Sequence, residues 1–127
     1  MYSGRARVPL LLLGGMLGVS DQPVAEGRTM YGTVARMRPK PGHEQALIDL
    51  NLEWRRDRKP KVKGAVGAYV LRPDNKPDEM ILMAIFADRQ TYRANAEDPE
   101  QDRWFRQMRE HLVADPAWED GEITSTG

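Results

Sequence analysis

The chain has 127 residues, of which 30% are charged, and its 19 basic residues balance 19 acidic ones, so the formal net charge is zero. This balance argues against a protein that binds nucleic acid through a positive charge spread over its whole surface, and no nucleic-acid partner is expected. Cysteine is absent, which excludes disulfides, thiolate metal sites and cysteine nucleophiles. With two histidines, His43 and His111, a histidine-rich metal site is not expected.

Residues 1–29 differ from the rest of the chain. Arg5 and Arg7 precede the apolar run LLLLGGMLGV, and Ala25 follows as a small residue at which a secretory signal could be cleaved. The run is too short to cross a bilayer, which takes about 20 apolar residues. Three interpretations are open: a cleaved signal, a retained extension whose leucines pack on the domain, and a start assigned too early, with Met30 as the natural first residue. We expect a non-targeting extension on a cytoplasmic protein, with secretion as the alternative, and one domain over residues 30–127.

From Met30 onward, strand-like and helical patterns alternate. Met30–Arg38 is strand-like and ends at the turn PKPG. Gly42–Arg58 has helical periodicity with a basic last turn, and Pro60 stops it. A second strand is predicted over Gly64–Arg72, followed by the turn-rich loop PDNKP.

A third strand is predicted over Asp78–Phe86, and it contains MILMAIF, seven apolar residues in a row. Asp88 is predicted to cap a short helix over Arg89–Ala96. Pro99 begins another helix, which is predicted to run through Val113. Trp118–Thr124 is predicted as the last, edge-type strand. The order β-α-β-β-α-β is that of the ferredoxin-like α+β fold, a four-stranded antiparallel sheet with the helices on one face.

The other face of such a sheet is left bare by its own helices. MILMAIF would expose either Ile81, Met83 and Ile85, or the alternate set that includes Met80 and Phe86. Each large apolar side chain left in water forgoes about 1.5–3 kcal/mol of burial. We therefore expect a second copy of the chain to cover this face in a two-fold homodimer. The alternatives are a larger monomeric core and the N-terminal leucines folding across the sheet.

Two segments carry a resemblance to a known family. MYGTVARMRPKPGHEQAL and PKVKGAVGAYVLRPDNKPDEMILMAIFADRQTYRANAEDP resemble the antibiotic biosynthesis monooxygenase family of dimeric α/β-barrel proteins, over about Met30–Ile123. The most telling pieces are K-P-G-H-E at the start of the first helix and F-x-D-R-x-x-Y-R-A-N after the third strand. The resemblance implies homodimers whose sheets meet back to back, with a small-molecule cavity between sheet and helices. Some such relatives oxidise polycyclic phenols with molecular oxygen and without metal or flavin, and others degrade haem.

Cofactor-free oxygenation needs an electron-rich substrate that can lose a proton, a base or hydrogen-bonding groups, and aromatic walls around a dry pocket. Six side chains are candidates: His111 and Tyr92 for proton transfer, and Asn95, Trp104, Tyr69 and Trp54 for substrate binding. Each of the main candidates also has a structural interpretation. Tryptophans at helical spacing are typical of a core, a helix-edge histidine is typically half-exposed, and Asn95 could simply end its helix.

Haem degradation is not favoured, because relatives with that activity use an Asn, a Trp and a His around the porphyrin. The first strand has no asparagine and the third ends in Phe86. No metal, cofactor or membrane partner is expected. The basic residues between Arg55 and Lys63 are interpreted as a solvated helix end. Two hypotheses remain: a cofactor-independent monooxygenase for a small aromatic or quinol-like substrate, and a non-catalytic ligand-binding or stress-associated dimer.

Overall fold

The strands and helices follow one another in the predicted order. The computed structural model describes residues 28–127, so the predicted extension falls almost entirely outside the described residues. The strands are β1 (Thr29–Met37), β2 (Ala65–Leu71), β3 (Met80–Phe86) and β4 (Ala117–Thr124); the helices are α1 (Glu44–Asp57), α2 (Arg89–Ala96) and α3 (Pro99–Arg109), with a 3₁₀ turn at Lys59–Lys61.

The four strands form one antiparallel sheet in the order β2-β3-β1-β4. The two central strands are therefore β1 and β3. The crossovers from β1 over α1 and from β3 over α2 and α3 give the ferredoxin-like arrangement that the sequence predicts. The fold prediction is confirmed.

The apolar core lies over one half of the sheet, between β1, β3 and the helices α1 and α3. Its buried side chains are Ala35, Met37, Leu47, Leu50, Met80, Leu82, Met108 and Leu112. Along β1, the same helix-facing row continues with Thr33 and Tyr31, which are also buried. The row therefore passes from an apolar half beneath α1 and α3 to a half with hydroxyl groups beneath α2.

Capping residues set where α2 and α3 begin. The Asp88 carboxylate accepts a hydrogen bond from the Thr91 backbone N–H, and the Asp98 carboxylate accepts one from the Glu100 N–H. Pro99 occupies the first turn of α3, where it has no hydrogen bond to lose. The predicted cap at Asp88 and the predicted start at Pro99 are both confirmed.

The end of α3 differs from the prediction, because the helix stops at Arg109 and not at Val113. The chain after it pairs with the segment that follows β1. The Lys40 N–H donates to the His111 carbonyl and the Val113 N–H donates to the Arg38 carbonyl. This bridge between distant segments takes the place of the last helical turn, and helical periodicity alone could not reveal it.

The outer face of the sheet, away from the helices, carries exposed apolar side chains. Among them, Tyr69 is 67% exposed, Leu71 56% and Met83 39%. Tyr69 lies opposite Met83, and Leu71 lies opposite Ile81, so these four side chains share one face. The first of the two alternatives for MILMAIF is thus the observed one: Ile81, Met83 and Ile85 point outward, while Met80 and Leu82 enter the core.

Candidate functional site

A tyrosine and an aspartate meet on the helix side of the sheet, beyond the end of the apolar core. The Tyr92 hydroxyl, on α2, donates a hydrogen bond to the Asp120 carboxylate on β4, with 3.0 Å between the oxygens. Asp120 lies directly opposite Thr33 in the ladder between β1 and β4. The two strands and the helix thus bring a phenol, a carboxylate and a hydroxyl together.

The surroundings of Tyr92 make its phenol a weak acid. Burial is the main cause that raises the pKa of Tyr92 to about 12, and the negative charge of Asp120 adds to this effect. The neighbouring Thr33 hydroxyl acts in the opposite direction and lowers this pKa. Tyr92 therefore keeps its proton at neutral pH and can act there as a hydrogen-bond donor, while Asp120 supplies the acceptor.

Aromatic rings form a wall beside this pair. The Tyr92 ring lies 5.3 Å from that of Tyr31 and 5.6 Å from that of Phe86, measured between ring centroids, in tilted and edge-on arrangements. The Arg89 guanidinium lies over the ring of Tyr31, 5.1 Å from its centroid. The site formed by Tyr92, Asp120, Thr33, Tyr31 and Phe86 is called the tyrosine site below.

Asn95, three residues after Tyr92, has a different partner. Its side-chain oxygen accepts a hydrogen bond of 3.0 Å from Arg58, which follows α1. The same guanidinium binds Glu100 at 2.7 Å and lies 3.6 Å from Asp98. Since the Arg58 side chain is only 13% exposed, Asn95 forms part of a nearly buried junction between α1, α2 and α3.

The two candidate tryptophans pack against each other between α1 and α3. The Trp104 indole N–H donates to the Leu50 carbonyl at 3.2 Å, and the Trp54 indole N–H donates to Gln101 at 2.7 Å. Their rings meet edge to face with centroids 6.5 Å apart. Both contacts join helix to helix, which agrees with the structural interpretation of these residues.

His111 pairs with the other histidine of the chain. Its Nδ1 lies 3.0 Å from Nδ1 of His43, so one ring donates a hydrogen bond to the other. His43 stands at the start of α1 and His111 follows α3, so the pair connects the loops at that end of the helices. The remaining candidate, Tyr69, lies on the outer face of the sheet.

Tyr92, Asn95 and His111 thus have separate partners, and no hydrogen bond among residues 28–127 joins any two of them. Their functional roles stay predictions.

Sequence reasoning missed Asp120 and Thr33, because both depend on the register of the edge strand. The sequence signal for Asp120 was its position as one of several acids in the predicted edge strand Trp118–Thr124.

A surface crevice lies elsewhere, between the 3₁₀ turn and α2, with a volume of about 300 Å³. Asn95 lines it, whereas Tyr92 and Asp120 do not. Within residues 28–127, no three His, Asp or Glu side chains are grouped as a metal site would require. No helix in the described part of the chain is both long and apolar enough to cross a membrane.

Comparison with known proteins identifies the family. The sequence model of the antibiotic biosynthesis monooxygenase family matches residues 30–107, well over half of the chain. The chain belongs to this family. The matched range ends before β4, so it includes Tyr92 but leaves out Asp120. Among curated proteins, none matches the chain.

Several solved structures share the fold. A candidate antibiotic biosynthesis monooxygenase from Chloroflexus aurantiacus is 21% identical, with a TM-score of 0.58, and the alignment covers 77% of this chain and 94% of that one. A conserved protein from Methanosarcina mazei Go1 is 15% identical, with a TM-score of 0.62 and coverage of 78% and 95%. A Shewanella oneidensis protein is 16% identical, with a TM-score of 0.61 and coverage of 80% and 98%. At these identities the likeness concerns the fold alone.

Proposed function

We propose that this family member is a cofactor-independent monooxygenase that oxidises a small aromatic or quinol-like substrate at the tyrosine site. The observation that carries the proposal is the hydrogen bond from Tyr92 to Asp120 beside the rings of Tyr31 and Phe86. It combines a proton acceptor, a proton donor and an aromatic wall, which are the groups that such a reaction needs from the protein.

In the proposed reaction the substrate itself supplies the electrons and dioxygen is the oxidant. Asp120 accepts a proton from an activated CH₂ group or phenol, and a carbon atom of the resulting anion bonds to O₂ to give a peroxide anion, which takes the proton back from Asp120. Loss of water from the peroxide leaves a carbonyl group, so that CH₂ and O₂ become C=O and H₂O. Because the high pKa of Tyr92 keeps its hydroxyl protonated, its role is to donate a hydrogen bond to the developing oxyanion. In this proposal Asp120 takes the proton-transfer role that the sequence analysis predicts for His111 or Tyr92.

We further propose that two copies pack through the outer faces of their sheets. Four apolar side chains on that face, Tyr69, Leu71, Ile81 and Met83, support this assembly, since a monomer would leave them in contact with water. The resemblance to the dimeric α/β-barrel proteins points to the same arrangement. Tyr69 would then belong to the subunit interface and not to the substrate cavity.

Oxygen uptake during aerobic incubation with anthrone- and quinol-like phenols tests the enzymatic proposal. Asp120→Asn should lower the rate at least about 100-fold, since general-base catalysis typically contributes 10²–10⁴-fold. Asp74→Asn, which removes an exposed acid from the β2–β3 loop, serves as the matched control and should leave the rate unchanged. Equal rates in the two variants would refute the role of Asp120.

The second candidate function is binding without chemistry. It is favoured by the separate partners of Asn95 and His111, which leave one phenol–carboxylate pair at the tyrosine site. The same panel of phenols discriminates between the two functions. Saturable quenching of protein fluorescence without oxygen uptake would establish a binding protein, and oxygen consumption with stoichiometric product would establish the enzyme.

A further inference from the structure

Seven of the nine residues that line the crevice beside α2 have polar side chains. It lies between the connection from α1 to β2 and the outward side of α2, and its volume of about 300 Å³ is at the lower end for small-molecule sites. The residues that line it are Lys61, Val62, Lys63, Asp88, Gln90, Thr91, Ala94, Asn95 and Asp98. Since none of these belongs to the tyrosine site, the crevice is separate from the proposed centre of oxidation.

The hydrogen-bond donors of the crevice are free to bind. Neither Lys61 nor Lys63 forms an ion pair with any residue between 28 and 127. The side-chain oxygen of Asn95 is occupied by Arg58, and this leaves its NH₂ group as the available end of the amide. Two lysines and one asparagine therefore line the same small space.

The acidic residues of the crevice, in contrast, are already engaged. Asp88 caps α2 through the Thr91 N–H, and Asp98 caps α3 and faces Arg58. Each carboxylate stands at a helix N-terminus, which carries about half a positive charge and so offsets part of the negative one. Asp57, on the same connection, forms its ion pair with Arg56, and that hydrogen bond lowers the pKa of Asp57. The charge of Lys61 also lowers the pKa of Asp57, although neither Lys61 nor Lys63 forms a close ion pair with any residue between 28 and 127.

We propose that this crevice binds the oxyanion group of a small molecule, a carboxylate or a phosphate monoester, through Lys61, Lys63 and Asn95. Ammonium groups bind carboxylate and phosphate oxygens by charge-assisted hydrogen bonds, and the amide adds a directed donor. The volume limits the ligand to a small anion or to the anionic end of a larger molecule. The basic segment that the sequence analysis interprets as a solvated helix end thus contains a binding site.

Titration followed by ¹H–¹⁵N NMR of the full chain tests this site. The probes are inorganic phosphate and acetate, each added at constant ionic strength against chloride. We expect saturable shifts in the Asn95 side-chain amide and in the backbone amides of Lys61 to Lys63. Saturation by phosphate alone assigns the site to phosphate monoesters, and saturation by acetate alone assigns it to carboxylates.

Matched double variants make the result decisive. Lys61→Gln with Lys63→Gln should weaken binding about tenfold or more, because each charge-assisted hydrogen bond contributes on that scale. Lys40→Gln with Lys76→Gln removes two exposed lysines elsewhere and should leave the affinity unchanged. Shifts that grow linearly with every anion, or an equal loss in both double variants, would overturn the proposal. Oxygen uptake is not part of this test, so its outcome is independent of the proposed oxidation.

Discussion

Replacing Gly64 with alanine should destabilise the domain through a clash with α2. Gly64 has a φ of +83°, and a Cβ atom added there would lie 2.3 Å from Oγ1 and 2.5 Å from Cβ of Thr91. Its carbonyl accepts a hydrogen bond of 2.7 Å from the Ala87 N–H, which fixes the start of β2 against the end of β3. The backbone therefore cannot move away from Thr91 without breaking this bond.

Two costs add at Gly64. A left-handed backbone conformation costs an alanine about 1–2 kcal/mol, and overpacking against a fixed neighbour costs about 1–3 kcal/mol. Gly42 provides the matched control, because its φ is +84° and a Cβ atom there would meet nothing within 4 Å. Gly42→Ala should therefore carry only the first cost, about 1–2 kcal/mol. The difference between the two variants isolates the contact with Thr91.

Urea denaturation at one fixed protein concentration measures both variants. We expect the free energy of unfolding to fall by about 2–5 kcal/mol in Gly64→Ala, the sum of the two costs. It should fall by at least about 1 kcal/mol less in Gly42→Ala, without the overpacking cost. Equal losses of unfolding free energy in the two variants would show that the Thr91 side chain moves aside at no cost and that the first turn of α2 is not held against Gly64.

Three more predictions concern a cap, a titration and an assembly. Asp88→Ala should cost about 0.5–2 kcal/mol of unfolding free energy, measured in urea, because the Thr91 N–H loses its acceptor. The raised pKa of Tyr92 means that the folded state holds this proton more tightly than the unfolded chain, so its contribution to stability is complete below pH 10 and is lost as the pH rises towards 12. Tyr92→Phe should therefore show a shallower fall in stability over that range, and an unchanged slope would contradict the assignment. Tyr69→Glu on the outer face should shift the sedimenting species from twice the 14.5 kDa chain mass to a single chain, and a dimer that persists would remove the proposed interface.

Local patterns were sufficient to predict most of the fold. Turn residues, caps and apolar periodicity predict all four strands and all three helices, because each of these signals acts within a few residues of the chain. The main error, the end of α3, arose where a distant segment competed for the same backbone groups. There the Lys40 N–H reaches the His111 carbonyl across 71 positions of sequence that contain two strands and three helices.

The candidate site was harder to predict, because each of its members depends on a partner from another element. Tyr92 was selected from the sequence, yet its acid partner Asp120 lies 28 residues away on the last strand. Asn95 was selected for the same pocket, but its side chain binds the Arg58 guanidinium, which follows α1. Residue type and helical spacing give the face of a helix, whereas the partners follow from strand register and from the packing of side chains.

The position of the tyrosine site follows from the way β4 is held. As an edge strand, β4 has a single neighbour in the sheet, β1, so its ladder hydrogen bonds fix only one of its sides. Side chains of the helices supply the other attachments: Tyr92 binds Asp120, and the Phe105 ring packs 5.9 Å from that of Trp118. A substrate that accepts the hydrogen bond of Tyr92 would compete with Asp120 for it, and would thus weaken one of the contacts that hold β4 beneath α2. We therefore expect substrate binding at this proposed site to be coupled to the position of the edge strand and to leave the apolar core under α1 and α3 unchanged.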